Sequence, residues 1–175
     1  MKRLKAAIVT TIFLLDFVYA LGCTPANNLC EKYYAVLVVH DSLIPLYQTS
    51  CMKRVLHYLY DDSVKEQLYC LTLLDKTETA FKVEAKLCDE NSPEKMFGWI
   101  DKRYVGVYIN TNSAGTFPLY IQPSMTSDYE VIQTQSNILA EIMDCFKLWY
   151  KISFELNGRT YVGWLPREYQ YTNPY

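Results

Sequence analysis

Histidine is scarce in this 175-residue chain, and His40 and His57 are the only two. The sequence has no Cys-x-x-Cys pair and no cysteine–histidine spacing typical of a zinc site. Cysteine–histidine catalysis therefore has few candidate residues, and we expect neither a metal nor another cofactor. Adjacent acids such as Asp61-Asp62 lie in polar loop sequence, where solvated turn charges are expected instead of acid–base catalysis. We expect a protein that is not an enzyme.

Long apolar runs are missing beyond the first part of the chain. A charged start from Lys2 to Lys5 is followed by an apolar run that ends near Gly22 and contains Asp16. A membrane helix needs about 20 apolar residues in a row. The shorter, acid-containing run predicts a signal peptide over residues 1–22. The expected product is exported, to the periplasm or to the outer surface of a cell.

Two kinds of processing fit the residues after the apolar run. Val18–Ala20 suits a signal peptidase, which prefers small residues before the cleaved bond. Ala20–Cys23 resembles a bacterial lipoprotein box, although Ala20 and Leu21 depart from its usual pattern. Cys23 is therefore a candidate lipidation site that would attach the protein to a membrane, and the alternative is that Cys23 forms a disulfide.

Disulfides are expected because an exported protein folds under oxidising conditions. If Cys23 carries no lipid, three bridges are possible, with a connectivity that sequence cannot fix. If Cys23 carries lipid, one cysteine stays unpaired. Cys51 and Cys145 lie in no nucleophile motif, so we expect them to be buried or bridged. The six cysteines are Cys23, Cys30, Cys51, Cys70, Cys88 and Cys145.

Basic residues form no stripe along the chain. Of the 17 basic and 19 acidic residues, three bases and one acid lie in residues 1–22, so the exported part carries a net charge of about −4. A nucleic-acid partner requires clustered positive charge to neutralise phosphates. The sequence therefore predicts no nucleic-acid partner.

Short runs of strand-forming residues follow one another from Tyr33 onward. Residues 33–40 are rich in β-branched side chains, and residues 151–156 alternate strictly between apolar and polar ones. Residues 137–148 have helical propensity, but a helix there would interrupt a regular series of strands, so we interpret them as a strand. The prediction is an all-β protein.

An internal repeat organises this series of strands. The order of its motifs is the same in both halves, and it predicts two tandem β-domains, over residues 31–109 and 112–172, joined by a polar linker. Each domain is small, so we expect the two to pack together or to be held by disulfides. The matching motifs are IPLYQTS at Ile44 with FPLYIQPS at Phe117, FKVEA at Phe81 with YKISF at Tyr150, and GWIDKRY at Gly98 with GWLPREY at Gly163.

The repeat unit resembles the bacterial SH3-like domain, in which a WYKV…G…GWV pattern marks the later strands of a small barrel. The first copy is divergent, since Ala80 stands where the second copy has Trp149. The resemblance implies two tandem SH3-like barrels and, as ligand, a cell-wall peptide or glycan or an envelope protein. The matching residues of the second copy are Trp149, Tyr150, Lys151, Ile152, Gly158, Gly163, Trp164 and Leu165.

Asn157-Gly158 predicts a two-residue hairpin turn with both residues at positive φ. A turn of that length places Trp149 opposite Pro166, and it divides the neighbouring side chains between two faces. A one-residue bulge would exchange the faces. The inner face is predicted to carry Tyr150, Phe154 and Tyr161, and the outward face to carry Trp149, Trp164 and Pro166.

The outward face resembles part of the peptide groove of eukaryotic SH3 domains. That groove is lined by an early tyrosine, a tryptophan that opens a strand, and a late proline and tyrosine. The first copy lacks two of these residue types, having Ala80 and Asp101 in their places. The alternative role of the outward aromatics is to seal the interface between the two domains of a structural envelope lipoprotein without a ligand. The candidate ligand-binding residues are Tyr120, Trp149, Trp164, Pro166 and Tyr169.

Overall fold

The computed structural model of the protein describes residues 33–39, 42–61, 68–88, 94–112 and 114–171. The predicted signal peptide and the lipidation candidate Cys23 lie outside these residues. The regular structure within them is strand, with two 3-10 turns, so the all-β prediction is confirmed. No helix in these ranges is long and apolar enough to cross a membrane.

Thirteen strands account for most of the described residues. Residues 137–148, which we interpret as a strand, contain β10, so that interpretation is confirmed. The strands are β1 (Tyr33–Leu37), β2 (Leu43–Tyr47), β3 (Val55–Tyr60), β4 (Tyr69–Lys76), β5 (Ala80–Leu87), β6 (Lys95–Asp101), β7 (Val105–Ile109), β8 (Thr116–Tyr120), β9 (Tyr129–Gln133), β10 (Ile138–Phe146), β11 (Trp149–Leu156), β12 (Arg159–Pro166) and β13 (Gln170–Tyr171). The 3-10 turns are Lys102–Tyr104, before β7, and Arg167–Tyr169, before β13.

All thirteen strands belong to one antiparallel sheet in the order β3-β2-β6-β5-β4-β1-β7-β10-β11-β12-β8-β9, with β13 also paired to β7. Outward from the middle, β1-β4-β5-β6-β2-β3 runs in one direction and β7-β10-β11-β12-β8-β9 in the other. We call β1–β7 the first copy and β7–β13 the second copy, because β7 pairs with strands of both. The topology therefore repeats as the sequence motifs do. The sheet does not close on itself, and two separate SH3-like barrels stay a prediction.

Strand β7 belongs to both copies. Gly106 and Val105 pair with β1, while Gly106 to Ile109 pair with β10 on the other edge. Tyr108 and Ile109 also pair with β13. One strand thus ends the first copy and begins the second. The proposed bounds, 31–109 and 112–172, stay a prediction.

The two copies share one hydrophobic core, which agrees with the expectation that they pack together. A continuous cluster of buried side chains runs from Ala35 in β1 to Leu165 in β12. Tyr150 is fully buried, and its hydroxyl donates to the backbone carbonyl of Tyr34 across the junction at 3.4 Å. Burial of large apolar side chains is the main stabilising contribution in such a core.

The glycine of each Gly-Trp pair lies in a strand, β6 or β12, that pairs with the Pro-Leu-Tyr strand of its copy. A Cβ on Gly98 would lie 2.5 Å from Cγ of Leu46, and a Cβ on Gly163 would lie 2.5 Å from Cγ of Leu119. Both leucines come from the Pro-Leu-Tyr motif of the same copy. The two motifs therefore recur together because the leucine packs directly on the glycine.

The hairpin of β11 and β12 has the predicted register. Trp149 lies opposite Pro166 and Phe154 opposite Tyr161. Asn157 and Gly158 have φ of 54° and 75°, as the two-residue turn requires. Tyr150 and Phe154 are buried and Tyr161 is partly buried. The predicted register and the inner face are confirmed, whereas Pro166, predicted to lie on the outward face, is buried.

Disulfides are present, as export predicts. Cys70 in β4 is bonded to Cys88, just after β5, and closes the open end of this pair of strands. Cys51 and Cys145 are also disulfide-bonded, and Cys145 is fully buried. The expectation that these two cysteines are bridged or buried is confirmed.

Candidate aromatic binding site

Tyr120, the last residue of β8, lies on the face of the sheet opposite the core. Phe117 and Leu119 of the same strand are buried in the core, and adjacent residues of a strand point to opposite faces. Tyr120 is paired with Trp164 of β12, so these two residues share a face. Trp149 pairs with Pro166, two residues further along β12, and joins the same face.

Tyr120 is the centre of an aromatic cluster. Its ring lies 5.2 Å from that of Trp149, centroid to centroid, at an interplanar angle of 86°. The ring of Tyr129 in β9 lies 5.1 Å from that of Tyr120, tilted by 42°. These separations and the edge-to-face geometry are those preferred by aromatic pairs. Tyr120 is only 6% exposed as a result, whereas Trp149 and Trp164 are partly buried.

An open pocket of about 240 Å³ lies beside this cluster, lined by Tyr120, Tyr169, Tyr129, Val131 and four residues of β8 and the loop before it. Tyr129 and Val131 are 56% and 59% exposed. The pocket therefore has an aromatic floor and a rim of exposed apolar side chains.

Backbone and amide hydrogen bonds fix the walls of the pocket. The carbonyl of Tyr169 accepts from the backbone N–H of Asn110 at 2.7 Å. The buried amide of Gln170 donates to the carbonyls of Leu148 and Leu165, which holds the 3-10 turn that carries Tyr169. The side-chain oxygen of Asn112 accepts from the backbone N–H groups of Ala114 in the loop and of Thr116 at the start of β8.

The structure brings three of the five predicted site residues into one group. Tyr120 and Tyr169 line the pocket, and Trp149 contacts Tyr120. Trp164 lies beside Tyr120 in the sheet but does not line the pocket, and Pro166 is buried opposite Trp149. Their role in ligand binding stays a prediction.

Sequence reasoning missed Tyr129 and Val131, which supply the exposed rim. Both lie on β9, the second strand of the hairpin that starts with the Pro-Leu-Tyr motif. The available signal was the repeat, because β3 is the equivalent strand and is likewise exposed except for one buried residue, Leu59, which corresponds to Ile132. Among the described residues β9 ends the strand order, so its outer edge has no neighbouring strand there.

The electrostatics of the pocket keep Tyr120 neutral. Burial raises the pKa of the Tyr120 phenol, and the neighbouring Tyr129, Glu168 and Tyr169 raise it further. A neutral phenol can donate and accept a hydrogen bond. In the part of the chain that the structure describes, no group of three or more His, Cys, Asp or Glu side chains is placed to hold a metal ion.

The equivalent position in the first copy lacks the tryptophan and the proline of the second copy. Tyr47 pairs with Trp99, as Tyr120 pairs with Trp164, but Ala80 is fully buried and faces Asp101. The Asp101 carboxylate accepts from the backbone N–H of Arg103 and caps the 3-10 turn. The aromatic cluster is therefore a feature of the second copy.

The ring contacts of the cluster lie inside the second copy. Tyr120, Trp149 and Tyr129 come from β8, β11 and β9, and β8 and β9 form the end of the sheet remote from the junction at β7.

No protein-family model matches this chain, and comparisons with curated proteins and with solved structures find no match either.

Proposed function

We propose that the chain is an exported, non-enzymatic binding protein of the bacterial envelope, built from two fused SH3-like domains. The strand order supports this fold assignment. In each copy three consecutive strands form a meander, and the strand after the 3-10 turn pairs with the first strand of the copy, β7 with β1 and β13 with β7. A last strand that returns to the first is what a small barrel requires.

The aromatic pocket of the second copy is the proposed binding site. The observation that carries the proposal is the position of Tyr120, which lies beneath an open pocket rimmed by the exposed side chains of Tyr129 and Val131. Apolar side chains exposed around a pocket are typical of recognition sites. Tyrosine and tryptophan supply large contact areas at a low entropic cost.

The size of the pocket favours an extended ligand. Pockets that enclose a whole small molecule are usually about 300–1,000 Å³, and this pocket is about 240 Å³. It accommodates one or two side chains of a longer ligand that continues across the surface. An extended peptide docking on aromatic side chains is the mode that fits best, and its source is a cell-wall peptide or a partner protein in the envelope.

Binding of cell-wall stem peptides and of envelope extracts to the exported protein tests this function. The variant Trp149→Ala with Tyr169→Ala removes one contact of Tyr120 and one wall of the pocket. We expect binding to be lost while circular dichroism stays that of a folded β protein. Tyr104→Ala, at the first-copy position equivalent to Tyr169, is the matched control. Binding that survives in the double variant overturns the site.

A second candidate function is structural, without a ligand. The burial of Pro166 and Tyr120 favours it, since both are placed as packing residues of the second copy. In that case the protein is an envelope lipoprotein that Cys23 positions through its lipid. Intact mass after expression in a bacterial host tests this alternative, because a lipidated Cys23 adds the mass of its acyl chains.

A further inference from the structure

We infer that a second site, which binds a small oxyanion, lies in the cleft where the two copies meet. The cleft is open, has a volume of about 700 Å³, and is lined by Lys76, Lys102 and Lys151 together with Asp144 and Glu78. Lys76 and Lys102 come from the first copy, whereas Asp144 and Lys151 come from the second. This inference is independent of the aromatic pocket, which shares none of these residues.

The pair of Lys76 and Asp144 is neutral and fixed. The Lys76 ammonium donates to Oδ1 of Asp144 and to the carbonyl oxygen of Cys145, each at 2.6 Å. Lys76 is only 7% exposed. A buried ammonium with two close acceptors holds one geometry. Asp144 is therefore shared, since it pairs closely with Lys76 and at longer range, 3.9 Å, with Lys102.

Lys102 is the group that lacks an acceptor. Its ammonium lies 3.9 Å from Oδ1 of Asp144, too far for a hydrogen bond, and 4.9 Å from the centre of the Phe81 ring. No hydrogen-bond acceptor for this ammonium occurs among the residues that the structure describes. Its side chain is only 15% exposed. No side-chain nitrogen or oxygen of the described residues is both buried and without a hydrogen-bond partner. The Lys102 ammonium therefore reaches the open cleft, where an anion could contact it.

The pKa of Lys102 reflects the same surroundings. Burial lowers it, Asp144 raises it, the like charge of Lys76 lowers it, and Glu78 raises it. An anion next to the Lys102 ammonium would oppose the effect of burial.

Lys151 adds a second positive charge to the cleft. It lies opposite Asp144 in the pairing of β10 with β11 and is partly exposed. Within the described ranges, no carboxylate lies within ion-pair distance of its ammonium. Once Lys76 and Asp144 cancel, Lys102 and Lys151 face only the exposed Glu78. One negative charge would restore neutrality.

The first copy supplies an internal control for this arrangement. Asp75 lies opposite Lys82 after a bulge in β4, as Asp144 lies opposite Lys151 after a bulge in β10. Lys82 is exposed and does not line the cleft. Lys82→Gln therefore removes the same charge at an equivalent strand position without touching the proposed site.

The ligand chemistry is that of a carboxylate or a phosphate ester, since each presents oxygen acceptors to two ammonium groups. Acetate and glycerol 1-phosphate are suitable probes, added to the chain at constant ionic strength with chloride as the reference. The side-chain NMR resonances of Lys102 and Lys151 report binding. A response to acetate alone identifies a carboxylate, and a response to glycerol 1-phosphate alone identifies a phosphate ester. A response to both identifies a general oxyanion site.

We expect saturable shifts of both lysine resonances. Lys102→Gln and Lys151→Gln should each weaken binding about tenfold, the value of one charge-assisted hydrogen bond, while Lys82→Gln leaves binding unaltered. Lys151 is partly exposed, so its variant keeps the fold even if Lys102→Gln does not. The inference is overturned if neither probe shifts the resonances beyond the chloride reference, or if Lys151→Gln binds as the wild type does.

Discussion

The ammonium of Lys76 lies 2.6 Å from the carboxylate of Asp144 and connects the first copy to the second. Asp144→Asn leaves Lys76 buried with the Cys145 carbonyl as its remaining acceptor. Loss of one partner of a fully buried pair costs about 3–5 kcal/mol. Because the Asp144 side chain is 38% exposed, we expect a loss of about 2 kcal/mol. Urea unfolding measures it.

Asp75→Asn is the matched control for Asp144→Asn. It removes the equivalent carboxylate of the first copy, for which the structure shows no ion pair within the described residues, and it should cost less than about 1 kcal/mol. The addition of Lys76→Met to Asp144→Asn should recover part of the stability, since the unpaired buried charge is then gone. Equal losses in the two single variants would contradict the special role of Asp144.

Gly106→Ala tests the shared strand β7. A Cβ at Gly106 would collide with the side chain of Val38 on one side and with the carbonyl of Ala140 on the other. The backbone carbonyl cannot move without disturbing β10, so we expect a loss of about 3 kcal/mol in the free energy of unfolding. Gly158→Ala is the control, because open space surrounds that position and only its φ of 75° opposes a side chain. A smaller loss for Gly106→Ala than for Gly158→Ala would contradict the close contact of the two copies at β7.

The disulfide between Cys70 and Cys88 closes a loop with a sequence separation of 18. A loop of this size is expected to contribute about 3 kcal/mol by restricting the unfolded chain. The variant Cys70→Ser with Cys88→Ser should lower the free energy of unfolding by this amount, measured by urea denaturation under non-reducing conditions. An unaltered unfolding midpoint would show that the bridge does not stabilise the first copy.

The pKa of Tyr120 predicts a loss of stability at high pH. Burial raises this pKa in the folded state above the usual value of about 10. The unfolded chain therefore releases the phenolic proton at lower pH than the folded one. The stability contribution is fully present below the unfolded pKa and is lost as pH rises through the folded pKa. Above a pH of about 10, the free energy of unfolding should fall less in Tyr120→Phe than in the wild type. Equal falls in the two proteins would contradict the raised pKa of Tyr120.

Local chemistry explains which features the sequence predicts. Asn157-Gly158 determines its own turn, and the turn then sets the register of Trp149 with Pro166, so the hairpin is predicted in detail. The strand β10 is predicted from its place in a regular series of strands and against its helical propensity, and the structure places Ile138, Ala140 and Ile142 on one buried face.

Features that depend on pairing between distant strands cannot be predicted from local sequence. Gly106 pairs with both Val36 and Glu141, and nothing in its neighbourhood indicates that one strand serves two copies. Tyr129 reaches the pocket because β8 places it across from Tyr120. The cleft is missed for the same reason, since Lys76 and Asp144 are 68 residues apart and meet only through packing.

NMR mapping of an envelope-derived peptide on the chain tests the central claim most directly. The account predicts shifts confined to the aromatic pocket, at Tyr120, Tyr129, Trp149 and Tyr169, and weaker binding by about tenfold in Tyr129→Ala. Val55→Ala, at the first-copy position equivalent to Tyr129 because Val55 pairs with Tyr47, and also exposed, should bind as the wild type does. Shifts that avoid the pocket, or equal binding by the two variants, would contradict the account.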